Sequence, residues 1–231
     1  EKREMYFNRI PIQECAEIIG EDKLFFFGYD SLGDISETTN VARDLVIANK
    51  TGCHYHVCHL ATKESLDLVK FYKSNGCNVT VEVTPHHIVL NDEMIEITPS
   101  YKMNPPIRGK KDQEALIRGI INGDVDMIST DHAPHSFEKK NKEINASAFG
   151  IVGLETSFPL LYTHLVKSGL INVEKLFDLM SYNVAKAFNL DNCIGCGQSI
   201  KINDEGVCLH CGNDYATSEY GWILSDVDIK S

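Results

Sequence analysis

Five polar side chains that could bind a metal or transfer a proton follow short β-rich runs of the sequence. They are His59, His86, His87, Asp131 and His135. A neutral imidazole can donate a lone pair to a divalent metal, and a carboxylate can bind a metal or carry a proton. Any one of them alone is more often structural, since an aspartate at a strand end frequently caps the next turn. Their shared position after strands is what indicates chemistry.

The elements that must position these side chains alternate along the chain. The spacing of apolar residues predicts strands over residues 55–60, 79–83 and 125–129, and helices over residues 38–50, 63–74, 112–121, 154–167 and 173–188. This alternation indicates a parallel sheet with crossover helices, in an α/β layer or barrel. Because ligands bind at the carboxyl-terminal edge of such sheets, residues distant in sequence are expected to converge there.

The combination of these residues is more informative than any single one. Asp131 and His59 end neighbouring predicted strands, His135 lies four residues beyond Asp131, and Asn104 lies in a proline-rich loop. Together they could supply a metal ligand, a proton carrier and hydrogen-bond donors for an anionic substrate.

Four of the eight cysteines form two Cys-x-x-Cys-Gly motifs near the carboxyl terminus. They are Cys193, Cys196, Cys208 and Cys211, with 11 residues between the two pairs. This spacing is typical of a zinc ribbon, in which all four thiolates hold one structural zinc ion. Two redox-active pairs and a rubredoxin-type iron site are the alternatives. We therefore expect a domain over residues 1–190 and a zinc-ribbon-like module with a tail over residues 191–231.

Composition and charge exclude several classes of protein. The chain has 231 residues, of which 43% are hydrophobic and 24% charged, so it is not low-complexity or disordered. Its 22 basic and 33 acidic residues give a net charge of −11, which disfavours binding to nucleic acid. No apolar run is long enough to span a membrane, and residues 1–9 lack the apolar core of a secretion signal. We expect a cytoplasmic protein.

Several motifs resemble those of the bacterial dihydroorotases, in the same order along the chain. Residues 54–62 (HYHVCHLAT) resemble a family segment that ends in His-Ile/Val-Ser-Thr, with Ala61 where the family usually has Ser. The other matching segments are VEVTPHH at 81–87, KMNPPIR at 102–108, TDHAPH at 130–135 and FGIVGLET at 149–156. Allantoinases also carry an Asn-Pro-Pro loop, but the Asp-His-Ala-Pro-His sequence fits dihydroorotases better.

The resemblance implies a partial, distorted TIM-type barrel of the metal-dependent amidohydrolases. The implied reaction is the reversible conversion of N-carbamoyl-L-aspartate to dihydroorotate in pyrimidine biosynthesis, with zinc at the catalytic site. By this matching, His59 would be a zinc ligand, and Asp131 would bind the metal and act as general acid and base. The substrate would be held by four residues, namely Asn104, His135, Phe149 and Gly150.

Other family features are weaker or missing. His86, His87 and His132 are expected to orient ligands or order loops rather than to bind metal. The family's first-strand His-x-His pair and arginine, and its bridging Asp or carbamylated Lys, have no counterpart here, and Gly20 stands near where a further ligating His is expected. The matched residues give the metal one imidazole and one carboxylate, whereas a catalytic zinc usually has three protein ligands.

Two functions are therefore compatible with the sequence. The chain could be a dihydroorotase that is incomplete by itself and acts on its small-molecule substrate when a second chain completes the barrel. Alternatively, it could be a non-catalytic homologue that supports assembly, for example with an aspartate carbamoyltransferase, through its ribbon and an exposed barrel edge.

Overall fold

The computed structural model describes residues 6–7, 10–11, 34–96, 98–188, 190 and 209. Contacts within the chain define two compact units, Glu1–Met180 and Ser181–Ser231. The four cysteines of the expected ribbon, Cys193, Cys196, Cys208 and Cys211, lie outside the described residues, as does Gly20. The zinc-ribbon-like module and the domain boundary near residue 190 therefore stay predictions.

Three strands of the first unit form a parallel sheet. A short antiparallel pair, β1 (Tyr6–Phe7) and β2 (Ile10–Pro11), comes first in the sequence. Strand β3 (Tyr55–Val57) then pairs in parallel with β4 (Val79–Val83), which pairs in parallel with β5 (Met127–Ile128). Because β3, β4 and β5 run in the same direction, their carboxyl ends meet at one edge of the sheet. The predicted parallel α/β arrangement is confirmed.

Helices connect these strands. Helix α1 (Asp34–Thr51) precedes β3, and α2 (Lys63–Ser74) joins β3 to β4. Between β4 and β5 lie α3 (Pro85–Val89), a 3₁₀ turn (Pro99–Tyr101) and α4 (Lys110–Asn122). Helix α2 begins where predicted because Thr62 caps it, its side chain accepting a hydrogen bond from the Ser65 N–H.

The part of the chain after β5 contains short helical segments. They are α5 (Phe137–Lys140), α6 (Ser157–Leu161), α7 (Val173–Phe177) and α8 (Asn183–Ala187), with π-helical turns at Tyr162–Val166 and Asp178–Tyr182. Among the described residues, no helix combines the length and the hydrophobicity that a membrane crossing requires.

The sheet has an apolar face and a polar face. In β4 the side chains of Val79, Val81 and Val83 are buried, whereas those of Thr80 and Glu82, on the other face, are partly exposed. The apolar face contributes to a single core with α1, α2, α4 and the segment around α6 and α7. Its fully buried large side chains include Leu45, Leu60, Ile88, Leu116, Ile120, Leu161, Leu165 and Leu176.

The structure differs from the predicted elements mainly at their ends. The predicted strand over 55–60 ends at Val57, because the chain enters a turn that carries His59 in a left-handed conformation. Pro85 ends β4, as predicted, and also begins α3. The predicted helices over 154–167 and 173–188 are each interrupted by a π-helical turn, at Tyr162–Val166 and at Asp178–Tyr182. In the first turn the Lys167 N–H donates a hydrogen bond of 2.9 Å to the Tyr162 carbonyl, five residues back.

Candidate functional site

Two polar residues at the carboxyl edge of the sheet share an unusual backbone conformation. His59 follows β3 with a φ of +39°, and Asp131 follows β5 with a φ of +46°. Residues other than glycine avoid this left-handed region, at a cost of about 1–3 kcal/mol, and those that adopt it cluster at functional sites. Both residues are expected site residues from the sequence, and the backbone strain supports their assignment to one site.

Glu82, near the end of β4, holds the turn that carries His59. Its Oε1 accepts a hydrogen bond from the His59 N–H at 3.3 Å, and its Oε2 lies 3.1 Å from His56 Nε2. Burial opposes ionisation of this carboxyl, but hydrogen bonds from His56 and from the His59 N–H help to outweigh it, so the pKa of Glu82 is lowered. Glu82 is therefore an anion at neutral pH that orients the strand end.

Asp131 lies within electrostatic reach of both neighbouring strand ends. Burial raises its pKa, His59 opposes that rise, and the negative charge of Glu82 adds to it. The direction of this shift is the one that proton transfer by a carboxyl group requires.

His86, the second residue of α3, belongs to the same group. Its side chain is buried, and its Nε2 has no hydrogen-bond partner among the described residues. Burial, followed by the charge of His59, lowers the pKa of His86 to about 4, so the imidazole is neutral at pH 7. The Nδ1 of His59 is buried and unpartnered as well. Because buried polar atoms are nearly always hydrogen-bonded, two such nitrogens on neighbouring imidazoles are consistent with a ligand that both would bind.

The donor types of His59, His86 and Asp131 suit a divalent cation such as zinc. His59 and His86 offer two imidazole nitrogens, and Asp131 offers a carboxylate oxygen. These are ligand types that zinc prefers, and three is the usual number of protein ligands in a catalytic zinc site. On donor chemistry, His86 is a possible third ligand in addition to His59 and Asp131, the two that the resemblance implies.

Three ligand atoms that lie close enough together to hold one metal ion come from other residues. His56, Cys58 and Glu82 each offer one such atom, and these atoms lie within 4.8 Å of one another. However, His56 Nδ1 is 2.8 Å from Thr80 Oγ1 and its Nε2 faces Glu82. Burial and the charge of Glu82 raise the pKa of Cys58, which disfavours the thiolate that would bind metal. These contacts favour an orienting role for the cluster.

His87 anchors the loop that carries Asn104. Its Nε2 lies 3.0 Å from the Pro105 carbonyl oxygen, and its Nδ1 lies 2.6 Å from Thr84 Oγ1. Because a carbonyl can only accept, the ring proton is on Nε2, and Nδ1 accepts from the threonine hydroxyl. Burial lowers the pKa of His87 well below its usual value, which keeps the ring neutral. The structural role expected for His87 is confirmed.

Asn104 and His59 line one cleft with a volume of about 360 Å³, within the range of small-molecule sites. Helix α1 contributes Glu37 to the wall, and the buried Arg108 completes it, with Arg108 Nη2 4.0 Å from Glu37 Oε2. The Arg108 Nε has no hydrogen-bond partner among the described residues. The cleft thus combines a buried cation, an amide and a candidate metal ligand.

The remaining expected substrate residues form one connected loop. His135 Nε2 donates a hydrogen bond of 2.6 Å to the Phe149 carbonyl, and the Gly150 N–H donates one of 3.0 Å to the Lys102 carbonyl. Lys102 lies two residues before Asn104, so the loop and the Asn104 segment are joined directly.

Gly150 and His132 shape the same loop. Gly150 has a φ of +139°, and a Cβ atom there would lie 2.4 Å from the Ala133 carbonyl oxygen, so only glycine fits. The Nδ1 of His132 accepts hydrogen bonds of 3.1 Å from the N–H groups of Gly153 and Leu154. This confirms that His132 orders the loop.

The sequence alone does not indicate Glu82 and Arg108, which line or support the site. It predicts a supporting role for His86, and that role stays a prediction. The available signals were the polar register of Glu82 in an otherwise apolar strand and the position of His86 directly after the same strand. Burial and the lack of a hydrogen-bond partner, which bring His86 into the site, cannot be read from sequence.

Known proteins match most of the chain. The model of the amidohydrolase family matches residues 11–218. A dihydroorotase of Geobacillus sp. (strain WCH70) is 52% identical over 165 residues, which cover 71% of this chain and 39% of that protein. A dihydroorotase of Lactobacillus leichmannii is 48% identical over 200 residues, covering 78% and 47%. The chain therefore spans less than half the length of these curated relatives.

Solved structures of two hydantoinases resemble the fold of this chain. An L-hydantoinase (dihydropyrimidinase) from Arthrobacter aurescens has a TM-score of 0.68 and 27% identity, over 78% of this chain and 41% of the other. A D-hydantoinase (dihydropyrimidinase) from Thermus sp. has a TM-score of 0.65 and 26% identity, over 81% and 44%.

Proposed function

Because the chain belongs to the amidohydrolase family, we propose that its strand-end site contributes to the hydrolysis and formation of a cyclic amide, with dihydroorotate and N-carbamoyl-L-aspartate as the substrate pair. The dihydroorotases of about 50% identity support this choice of substrate. The expected setting is pyrimidine biosynthesis in the cytoplasm.

One observation carries the proposal. His59 Nδ1 and His86 Nε2 are buried and have no hydrogen-bond partner among the described residues, and His59 lies within electrostatic range of both His86 and Asp131. Zinc held by these three side chains would supply Lewis-acid polarisation of an amide carbonyl. An apolar or purely structural role would leave two buried polar atoms unexplained.

Side chains of this protein transfer the proton, hold the strand end and bind the substrate. In the hydrolytic direction Asp131 takes a proton from the water whose oxygen bonds to the ring carbonyl carbon. As the carbon–nitrogen bond of the ring breaks, Asp131 gives that proton to the departing nitrogen, and ring closure is the reverse. Glu82 holds the backbone of His59, and Asn104, His135 and the Phe149–Gly150 backbone bind the substrate.

The carboxylate of the substrate requires positive or donor-rich surroundings. Asn104 lines the cleft with the buried Arg108, and His135 is exposed at the neighbouring loop. These groups supply hydrogen-bond donors for the substrate carboxylate.

We also propose that Cys193, Cys196, Cys208 and Cys211 hold a structural zinc ion. Their spacing supports this proposal. As a second candidate function, we propose a non-catalytic role in assembly with a carbamoyltransferase or with a chain that completes the barrel.

The replacement Asp131→Asn tests the enzymatic proposal. Dihydroorotate hydrolysis by the full chain is expected to fall at least about 100-fold, because the amide cannot carry the transferred proton. Asp178→Asn, at an exposed aspartate, is the matched control. Equal turnover by Asp131→Asn and the parent protein would contradict the proposal, and no turnover by either would favour the assembly role.

A further inference from the structure

Two lysine side chains form hydrogen bonds with the loop that contains Phe149 and Gly150. Lys102 belongs to the segment before Asn104, and Lys140 is the last residue of α5. Both are partly buried, and burial lowers the pKa of each. Neither residue is needed by the reaction scheme above.

Lys140 binds three backbone carbonyls at once. Its Nζ donates hydrogen bonds of 2.7 Å to Lys102 O, 3.1 Å to Ala148 O and 2.7 Å to Gly150 O. An ammonium group has three N–H donors, so each of them has a partner. Lys102 O also accepts the Gly150 N–H at 3.0 Å. Lys140 therefore binds both backbone segments that meet at Gly150, the one with Lys102 and the loop itself.

Lys102 holds the preceding part of the same loop. Its Nζ donates hydrogen bonds of 2.7 Å to Ile144 O, 3.3 Å to Asn145 O and 2.7 Å to Ser147 O. It also lies 4.3 Å from the centre of the Phe149 ring. Hydrogen bonds from an ammonium group are stronger than those between neutral groups, and a cation above an aromatic face is attracted to it.

The two ammonium groups thus bind most of the carbonyl groups of the loop. Five of the six carbonyls that they bind belong to residues 144–150. The Phe149 carbonyl is bound by His135 instead, at 2.6 Å. Among the described residues, the Phe149 N–H has no hydrogen-bond acceptor, so it is the free backbone donor at this point of the loop.

We propose that Lys140 and Lys102 are positioning residues that fix the Phe149–Gly150 backbone and leave the Phe149 N–H for the substrate. This inference rests on the proposed function in that the substrate is dihydroorotate. The two ammonium groups affect substrate binding by holding the loop backbone in place, and neither lysine contacts the reacting atoms.

The first test is independent of catalysis. In Lys140→Met, we expect amide hydrogen exchange over residues 144–151 to rise at least about tenfold, because charge-assisted hydrogen bonds to three carbonyls are lost. Lys139→Met, at the exposed neighbouring residue, is the matched control. Lys102→Met is expected to have the same effect, which guards against a folding defect peculiar to one variant. Unchanged exchange in both variants would overturn the proposal.

The second test separates positioning from general stability. In Lys140→Met, we expect KM for dihydroorotate to rise about tenfold or more, while kcat changes by less than about threefold, because the loop binds substrate but transfers no proton. Lys140→Ala is expected to regain a low KM when propylammonium is added. A fall in kcat alone, or no rescue by the amine, would contradict the positioning role.

The two tests distinguish the failure of this proposal from the failure of the proposed function. If the parent protein does not hydrolyse dihydroorotate, the substrate assignment fails, and hydrogen exchange still decides whether the lysines hold the loop. If the parent is active and KM is unchanged in the lysine variants, the positioning role fails and the function stands.

Discussion

At the scale of single residues, the site depends on groups that are unfavourable in isolation. His59 and Asp131 adopt left-handed backbone conformations, and two imidazole nitrogens are buried without partners. Each feature costs free energy, so the fold must contribute enough stability elsewhere. His59 and Asp131 could be predicted from sequence because they follow strands. The burial of His86 and its unpartnered Nε2 could not, since they depend on packing between elements.

The buried histidines make the stability of the metal-free protein depend on pH. The pKa of His86 is lowered to about 4 by burial and by His59, against about 6.5 in the unfolded chain. The unfolded state therefore binds the proton first, and the stability that is present above pH 6.5 is lost as the pH falls towards 4.

We expect the free energy of unfolding of the chelator-treated protein to fall by roughly 2–4 kcal/mol over this pH range. His86→Leu should lose a clear part of the dependence, whereas His164→Leu, at an exposed histidine, should keep it. Urea unfolding at several pH values measures both. If the free energy of unfolding depends on pH equally in His86→Leu and in the parent protein, protonation of His86 is not the cause.

At the scale of elements, the start of α2 is held from α1. The Glu37 carboxylate accepts hydrogen bonds from the Ala61 N–H (3.1 Å), the Thr62 N–H (3.0 Å) and the Thr62 hydroxyl (2.8 Å). A negative charge is favourable at a helix amino terminus. This contact connects the cleft wall to the segment that follows His59.

Replacing Glu37 tests that connection. We expect Glu37→Gln to reduce the free energy of unfolding by about 1–3 kcal/mol, because buried N–H donors lose a charged acceptor and Arg108 loses its nearby carboxylate. Glu114→Gln, at an exposed glutamate, should change it by less than about 0.5 kcal/mol. Equal effects of the two replacements, measured by thermal or urea unfolding, would show that the contact contributes nothing specific.

Helices α2 and α4 pack closely at Gly119. A Cβ atom there would lie 2.8 Å from Leu66 Cδ2 and 3.1 Å from Val125 Cγ2. Gly119→Ala would gain helix propensity of about 1 kcal/mol, but the overpacking is expected to cost about 1–3 kcal/mol. We therefore expect net destabilisation in urea unfolding. A more stable variant would show that the packing adjusts without cost.

Element prediction succeeded where local signals agree and failed where packing decides. Residues 63–74 carry an N-cap at Thr62 and a terminating Gly76, and the predicted helix matches α2 at both ends. The predicted helix over 154–167 has the correct apolar spacing, but spacing does not indicate the π-helical turn at Tyr162–Val166. Interactions between elements determine such turns, and a sequence pattern does not contain them.

At the scale of the whole molecule, one face of the parallel sheet packs in the hydrophobic core and the other carries polar side chains. The apolar side of β4 joins the core, while Thr80 and Glu82 share the other side with His54 and His56. The α/β class and the convergence of polar residues at one edge follow from the alternation of elements and could be predicted. The structural relatives identify the arrangement as part of an amidohydrolase TIM-type barrel.

We propose that His59, His86 and Asp131 bind a metal ion independently of the four cysteines, and cobalt titration tests this proposal most directly. Cobalt bound by thiolates gives sulfur-to-metal charge-transfer absorption, whereas cobalt bound by imidazole and carboxylate does not. We expect His86→Ala to lose one equivalent of cobalt without loss of the charge-transfer absorption, and Cys196→Ser to lose that absorption while the other equivalent remains. Equal cobalt content and equal visible spectra for His86→Ala and the parent protein would contradict the claim.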